Sequence, residues 1–204
     1  MSNSVIDKDR VPNERDTNTA MNLSSKTRLI FDFDDTIGLI LIDWNGWRRG
    51  VGDIIRSFDP SFDIDLKGGR MGLRQNDFFT TYGKACRDKI LAFSEEYELR
   101  HATGFRPDPN ILKVIHDTTD KKMYVWSSNS RKIIERYLGE LQIWHRFERI
   151  VSKDDVFFIK PHTEGFSLIH DGSHLNDYVF FGDSDADKGV AKNLGITYID
   201  VKNL

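Results

Sequence analysis

The sequence predicts an α/β fold: a doubly wound, parallel, five-stranded Rossmann-like core with a small, mostly helical cap inserted after the first strand. Three observations predict it. Five short apolar runs are each bounded by turn residues, as suits strands buried on both faces of a parallel sheet. Helical segments separate the last four of these runs. One long interval, about residues 38–106, breaks that rhythm and holds no run that reads as a buried parallel strand.

The five strand candidates are 28–33 (RLIFDF), 122–127 (KMYVWS), 149–152 (RIVS), 177–182 (DYVFFG) and 196–201 (ITYIDV). Between the last four lie 131–144 (RKIIERYLGELQIW), 162–171 (HTEGFSLIHD) and 186–195 (ADKGVAKNLG), all read as helical. Gly195 sits where a helix C-cap belongs. A further amphipathic helix over 109–118 precedes the second strand. The interruption contains glycine-rich KGGRMG (67–72) and a long helical run over 76–100. The expected organisation is a disordered polar tail over 1–27, a core from 28–37 and 107–204, and a helical cap over 38–106.

The composition bounds the function. The 204 residues carry a net charge of −3, with 39% hydrophobic and 30% charged residues. That suits one domain with a real core and gives no general attraction to nucleic acid or to an acidic membrane. No run approaches the ~20 apolar residues that a membrane span needs. Residues 1–20 have no apolar segment of the kind a secretory signal carries. The single cysteine, Cys86, excludes an internal disulfide and reads as a half-buried thiol. The expectation is a cytoplasmic protein; the sequence leaves its oligomeric state open.

In open α/β sheets, ligands bind outside the carboxyl ends of the strands. The first strand ends in Asp32-Phe33-Asp34-Asp35-Thr36 and the second in Ser127-Ser128-Asn129. Lys160-Pro161 lies between the third and fourth, and the fourth ends in Gly182-Asp183-Ser184-Asp185-Ala186-Asp187. One such cluster is an ordinary turn. Four at corresponding strand ends are hard to explain that way.

These residues resemble the haloacid dehalogenase superfamily, whose pattern is Asp-x-Asp-x-Thr/Val, then Ser/Thr, then Lys, then Gly-Asp-x-x-x-Asp. The resemblance covers about residues 28–201, and the insertion after the first motif resembles the type 1 cap of the phosphoglycolate phosphatase-like branch. The family's commoner loop reads Asp-Gly-Thr; here Asp35 precedes Thr36. The resemblance implies a Mg²⁺-dependent phosphatase acting on a small phosphorylated metabolite. In it Asp32 is the nucleophile that forms an aspartyl-phosphate, and Asp34 the acid that protonates the leaving oxygen and later activates water. Thr36, Ser128, Asn129 and Lys160 are expected around the phosphate, with Lys160 also neutralising charge on the nucleophile. Asp32, the Asp34 carbonyl and Asp183 are the expected metal ligands, with Asp187 behind them.

A calcium loop is the rival for the acidic stretch. It wants Asp at positions 1, 3 and 5, Gly at 6 and Glu at 12. Asp183, Asp185 and Asp187 fill the first three, but Lys188 and Leu194 take the other two places. A second Asp-x-Asp, at Asp63 and Asp65, has no apolar strand before it and reads as a cap turn. The six histidines show no metal-ligand spacing and read as surface or structural, His162 included although it follows Lys160-Pro161. Substrate selection is expected from the cap, at Lys67, Arg70 and Arg74 or at Trp44, Trp47 and Arg48. Two alternatives stay open: a phosphomutase of the same architecture, and a non-catalytic member that binds a phosphorylated ligand.

Overall fold

The computed structural model describes residues 23–63 and 71–204. In chain order the strands are β1 (Arg28–Phe31), β2 (Gly38–Leu41), β3 (Gly104–Pro107), β4 (Lys122–Trp126), β5 (Arg149–Val151), β6 (Tyr178–Gly182) and β7 (Thr197–Asp200). The helices are α1 (Trp44–Arg56), α2 (Met71–His101), α3 (Pro109–Asp117), α4 (Arg131–Glu140) and α5 (Asp185–Leu194). Five strands form one sheet in the order β5-β4-β1-β6-β7, with every pairing parallel. The five apolar runs are those strands, each within two residues of its expected ends.

Side chains alternate across a strand, so a sheet covered on both faces needs apolar residues at consecutive positions. Leu29, Phe31, Met123, Val125, Val179 and Phe181 enter one core, closed by Ile111 and Ile115 of α3 and by Ile133, Ile134 and Leu138 of α4. Ile30, Tyr124, Trp126 and Phe180 enter the other, closed by Phe166, Ile169 and by Val190 and Ala191 of α5. The strand order puts β1 at the sheet's centre and its carboxyl end at the middle of the loop edge.

The helix ends follow their sequence signals. Asp108 caps α3 by accepting the N–H groups of Asn110 and Ile111, and Pro109 fills the first turn. Gly195 closes α5 in the left-handed conformation, at φ 70°. Two expected helices come out differently. Residues 162–171 hold only a 3₁₀ turn, Glu164–Leu168. There the Glu164 carboxylate accepts the Phe157 and Phe158 N–H groups, and Gly165 lies so close to Trp126 that a Cβ would sit 2.5 Å from its Nε1. The run over 131–144 stops being α-helical at Glu140, because Gln142 turns left-handed, at φ 58°.

Residues 38–106 begin and end with the antiparallel pair β2 and β3, Gly38 opposite Pro107 and Leu41 opposite Gly104. The expectation was a mostly helical cap without a buried parallel strand; this short antiparallel pair is an addition to it. Between them α1 and α2 share their own apolar cluster of Trp47, Val51, Ile55, Phe78, Phe79, Cys86 and Ile90. Cys86 is fully buried within it rather than half-buried, and burial raises its thiol pKa. The helical run over 76–100 is broken by a kink at Gly83, whose φ of 70° only glycine adopts freely. Most of the tail expected over 1–27 lies outside the described residues. Leu23 packs on the core, and the Thr27 N–H donates to the Asp177 carbonyl at 3.0 Å. Among the described residues no helix is long and apolar enough to cross a membrane.

An ion-pair cluster ties together the amino ends of the central strands. Asp171 accepts from Arg28 at the start of β1 (2.9 Å) and from Lys122 at the start of β4 (3.0 Å), besides the hydroxyls of Ser173 (2.6 Å) and Tyr178 (3.0 Å). The hydrogen bond from Arg28, then those from Ser173 and Lys122, hold its carboxyl far below the usual carboxylate range. A depressed folded pKa adds stability above the ordinary value of about 3.9 and loses it as pH falls further. Asp171→Asn should therefore lower Tm most at neutral pH. The gap to wild type should close as pH falls below about 4; a gap that stays constant down to pH 2 would contradict this.

Candidate active site

Directly after β1 the chain leaves the sheet, and Asp32 stays tied to it through its N–H, which donates to the Phe181 carbonyl at 2.9 Å. The residue is 7% exposed, and its Oδ1 accepts from Lys160 Nζ at 2.7 Å. Lys160 is itself buried and also donates to Asp187. Its ammonium lies 5.3 Å from the Phe180 ring centroid. Burial, with Asp187 nearby, raises the Asp32 carboxyl to about 7, against the opposing pull of Lys160. Burial lowers the Lys160 pKa, but the two carboxylates outweigh it and the net shift is upward. The group is a charged lysine held between two buried acids.

Asp187 stands in the first turn of α5 and is fully buried. Its Oδ2 accepts the Ser184 N–H (3.2 Å) and hydroxyl (2.5 Å), while Ser184 Oγ accepts the Asp187 N–H (3.3 Å). This reciprocal cap starts the helix and fixes the carboxylate that faces Lys160. Gly182 makes room for it: a Cβ there would lie 2.5 Å from that of Asp187. Asp183 accepts from Lys202 through Oδ2 (3.0 Å) and through its carbonyl (2.9 Å). Asp32, Asp183 and Asp187 each offer a carboxylate oxygen within 4.8 Å of the others.

The chain then bends at Asp35, whose φ of 57° is left-handed and explains why glycine suits this place in the commoner loop. The bend brings Asp34 beside β2, where its Oδ1 accepts the Ile40 N–H at 2.8 Å. Burial raises the Asp34 carboxyl to about 8, only partly offset by that bond. A carboxyl raised in this way keeps its proton to a higher pH than an ordinary one, as a proton donor must.

A cleft of about 530 Å³ collects these groups. Asp32, Asp34, Ser128, Asn129, Lys160 and Asp183 line it from the sheet side; Trp44, Trp47, Arg48, Gln75 and Glu98 line it from the segment over 38–106. Asp187, expected behind the metal ligands, accepts from Lys160 and is off the cleft wall. Two expected residues stand elsewhere among the described ones. Thr36 is fully buried, its Oγ1 unbonded, and is not on the cleft wall. Arg74 is exposed and stacks on Phe62 (5.4 Å) and Phe78 (5.3 Å). Lys67 and Arg70 lie outside the described residues. His162 packs against Phe158, with ring centroids 4.9 Å apart, and is also off the wall.

Other contributors went unread in the sequence. Lys202, near the carboxyl end of the chain, reaches Asp183 and carried no motif. Glu98 and Lys153 form a buried ion pair at the cleft wall, 55 residues apart in sequence. Gln75 is buried there with Oε1 unbonded. Ser184 did carry a signal, since Ser-x-x-Asp ahead of an apolar periodic run is a capping pattern.

Comparison with known proteins agrees with this architecture. A family described as haloacid dehalogenase-like hydrolase matches residues 29–201. An uncharacterized protein of Haemophilus influenzae is 30% identical over 186 residues, covering 85% of this chain and 90% of its own. A Bacteroides fragilis structure named as a haloacid dehalogenase-like hydrolase superposes with a TM-score of 0.61 at 20% identity, covering 87% of this chain and 88% of the other. One from Lactobacillus plantarum, named as a phosphoglycolate phosphatase, does so with a TM-score of 0.57 at 17% identity, covering 85% and 84%. At those identities the two structures speak for the fold.

Proposed function

The chain belongs to the haloacid dehalogenase-like hydrolase family, and from that premise we propose that it is a Mg²⁺-dependent phosphatase of small phosphorylated metabolites. The observation that carries this is one cleft holding a buried carboxylate paired to a buried lysine, Asp32 with Lys160 at 2.7 Å, beside a second carboxyl, Asp34, raised to about 8 by burial. A site that only binds phosphate has no use for a nucleophile and an acid together.

Asp32 attacks phosphorus, and the ester bond to the leaving oxygen breaks as the acyl phosphate forms. Asp34 gives its proton to that oxygen. Its carboxylate then takes a proton from water, which attacks phosphorus and frees Asp32. Lys160 holds Asp32 in place and balances charge on the phosphoryl group. Ser128 and Asn129 hold phosphoryl oxygens. The segment over 38–106 acts as the cap that covers the leaving group, with Trp47 on its wall; a cytoplasmic setting goes with this reading.

The donor set fits a magnesium ion. Carboxylate oxygens are the hard ligands it takes, and those of Asp32 and Asp183 lie within 4.8 Å of each other and of Asp187; Lys160 balances only part of the charge, being shared by Asp32 and Asp187. Asp32, Asp183 and the Asp34 carbonyl would hold it, with Asp187 orienting Lys160 behind them. When bound, Mg²⁺ supplies charge neutralisation for the phosphoryl oxygens. The deciding experiment is a phosphate-release screen over small phosphorylated metabolites with Mg²⁺ and with excess EDTA. Release that depends on Mg²⁺ is expected; equal release in EDTA would end the metal reading, and none with any ester would end the phosphatase reading.

Lys202 bears on the same ion. Its ammonium donates to Asp183 Oδ2 and lies 4.0 Å from Asp35 Oδ2, so it would compete with a cation for Asp183. Lys202→Met should tighten Mg²⁺ binding by up to about fivefold, the scale of an exposed pair. It should also lower the Tm of the metal-free protein. Calorimetric titration checks the first; weaker binding would mean that Lys202 orders the site instead of competing for it.

A further inference from the structure

The Glu98–Lys153 pair has no part in the chemistry above, yet both residues lie on the cleft wall. Glu98 stands near the end of α2, and Lys153 follows β5. They are 1% and 2% exposed, and Lys153 Nζ meets Glu98 Oε1 at 2.5 Å. The other oxygen, Oε2, accepts both the N–H (2.9 Å) and the hydroxyl (2.5 Å) of Ser130. Ser130 is the N-cap residue of α4 and makes no side-chain cap bond of its own. Lys153 holds the same loop a second way, its N–H donating to the Asn129 carbonyl at 3.3 Å. Within the loop, Ser127 Oγ donates to Asn129 Oδ1 at 2.8 Å.

Stability alone does not call for charges here. Replacing a buried ion pair by apolar residues of similar volume is often neutral or stabilising. Charges add direction: one carboxylate fixes two Ser130 donors and a lysine whose backbone fixes Asn129. The residues so fixed flank Ser128. We propose that Glu98, together with Lys153, is a positioning residue that sets the loop 127–130 for phosphate from the inserted segment. Phosphate affinity then depends on a cap residue whatever the leaving group is. The inference rests on the phosphatase reading.

The test compares Glu98→Gln, the double variant Glu98→Leu with Lys153→Met, and Ser130→Ala. Inorganic phosphate is titrated calorimetrically with Mg²⁺, alongside Tm and the kcat and KM for p-nitrophenyl phosphate and for the best metabolite. Glu98→Gln should weaken phosphate binding about tenfold, as loss of hydrogen bonds to a charged group does. It should lower kcat/KM for both esters alike. It should also lower Tm, because the buried Lys153 loses its counter-charge. The double variant should regain Tm but not phosphate affinity. Ser130→Ala should lie between wild type and Glu98→Gln, and with the double variant it carries the test if Glu98→Gln does not fold. Wild-type phosphate affinity in the double variant would overturn the inference and leave the pair as packing. If the wild type neither binds phosphate nor hydrolyses any ester, the phosphatase reading has failed and takes this inference with it.

Discussion

Asp32→Asn should abolish turnover and leave no trapped phosphoenzyme, while Asp34→Asn should only slow turnover, by about 10²–10⁴-fold. The first change removes the oxygen that bonds phosphorus; the second removes only proton transfer. The chain itself provides the structural control. Lys160 keeps Asp187 as a partner when Asp32 becomes an amide of the same shape, so the fold should survive. The leaving group sharpens the contrast. p-Nitrophenolate leaves without a proton, whereas an alkoxide does not. Asp34→Asn should therefore give a rapid burst of p-nitrophenol followed by slow hydrolysis of the phosphoenzyme, and much slower release from an alkyl phosphate. Equal, mild losses in both variants would overturn the division of roles.

The placing of Asp32 and Asp34 at the loop edge was legible in the sequence because its ingredients are local. Asp32 and Asp34 sit two residues apart after an apolar run, and the strand's own period carries them to the loop edge. Lys160 and Asp183 were legible by their place between strands. What failed to show was whatever depends on a distant partner. Glu98 falls in a helix with Glu95, Glu96 and Arg100 around it and reads as part of a solvated face. Only the packing of α2 against α4 turns it inward, to meet Ser130 and Lys153. Arg74 reads as a basic residue in a flexible loop, but two phenylalanines on its own segment take its guanidinium. Thr36 follows the catalytic spacing, yet the turn that bonds its N–H back to the Phe33 carbonyl leaves its side chain buried. The pair β2 and β3 escaped notice because each strand has four residues and the second ends in a proline, a weak signal for a strand.

Lys160→Met should be the most damaging single change to stability. The lysine is the shared partner of two buried carboxylates, Asp32 and Asp187, and each of them is nearly or fully out of solvent. Removing one partner of a buried pair typically costs about 3–5 kcal/mol, because a charge is left without compensation. For a chain of this size each kcal/mol moves Tm by about 2–4 °C, so a fall of about 10 °C at pH 7.5 is the expected scale. The variant has one escape, which fixes the sign of its pH dependence. Asp32, whose carboxyl burial already raises, can take up a proton, and a carboxyl with a raised folded pKa gains stability as pH falls toward the ordinary carboxylate range. The Tm gap to wild type should therefore be widest at neutral pH and narrow toward pH 5. Mg²⁺ offers a second escape, since a cation at the three carboxylates replaces part of the lost charge. The Mg²⁺-induced rise in Tm should be larger in the variant than in wild type even though its turnover is lost. Thermal melts at pH 5 and 7.5, with and without Mg²⁺, read all of this. A variant that melts within 2 °C of wild type at pH 7.5 would show that Lys160 does not hold these acids together.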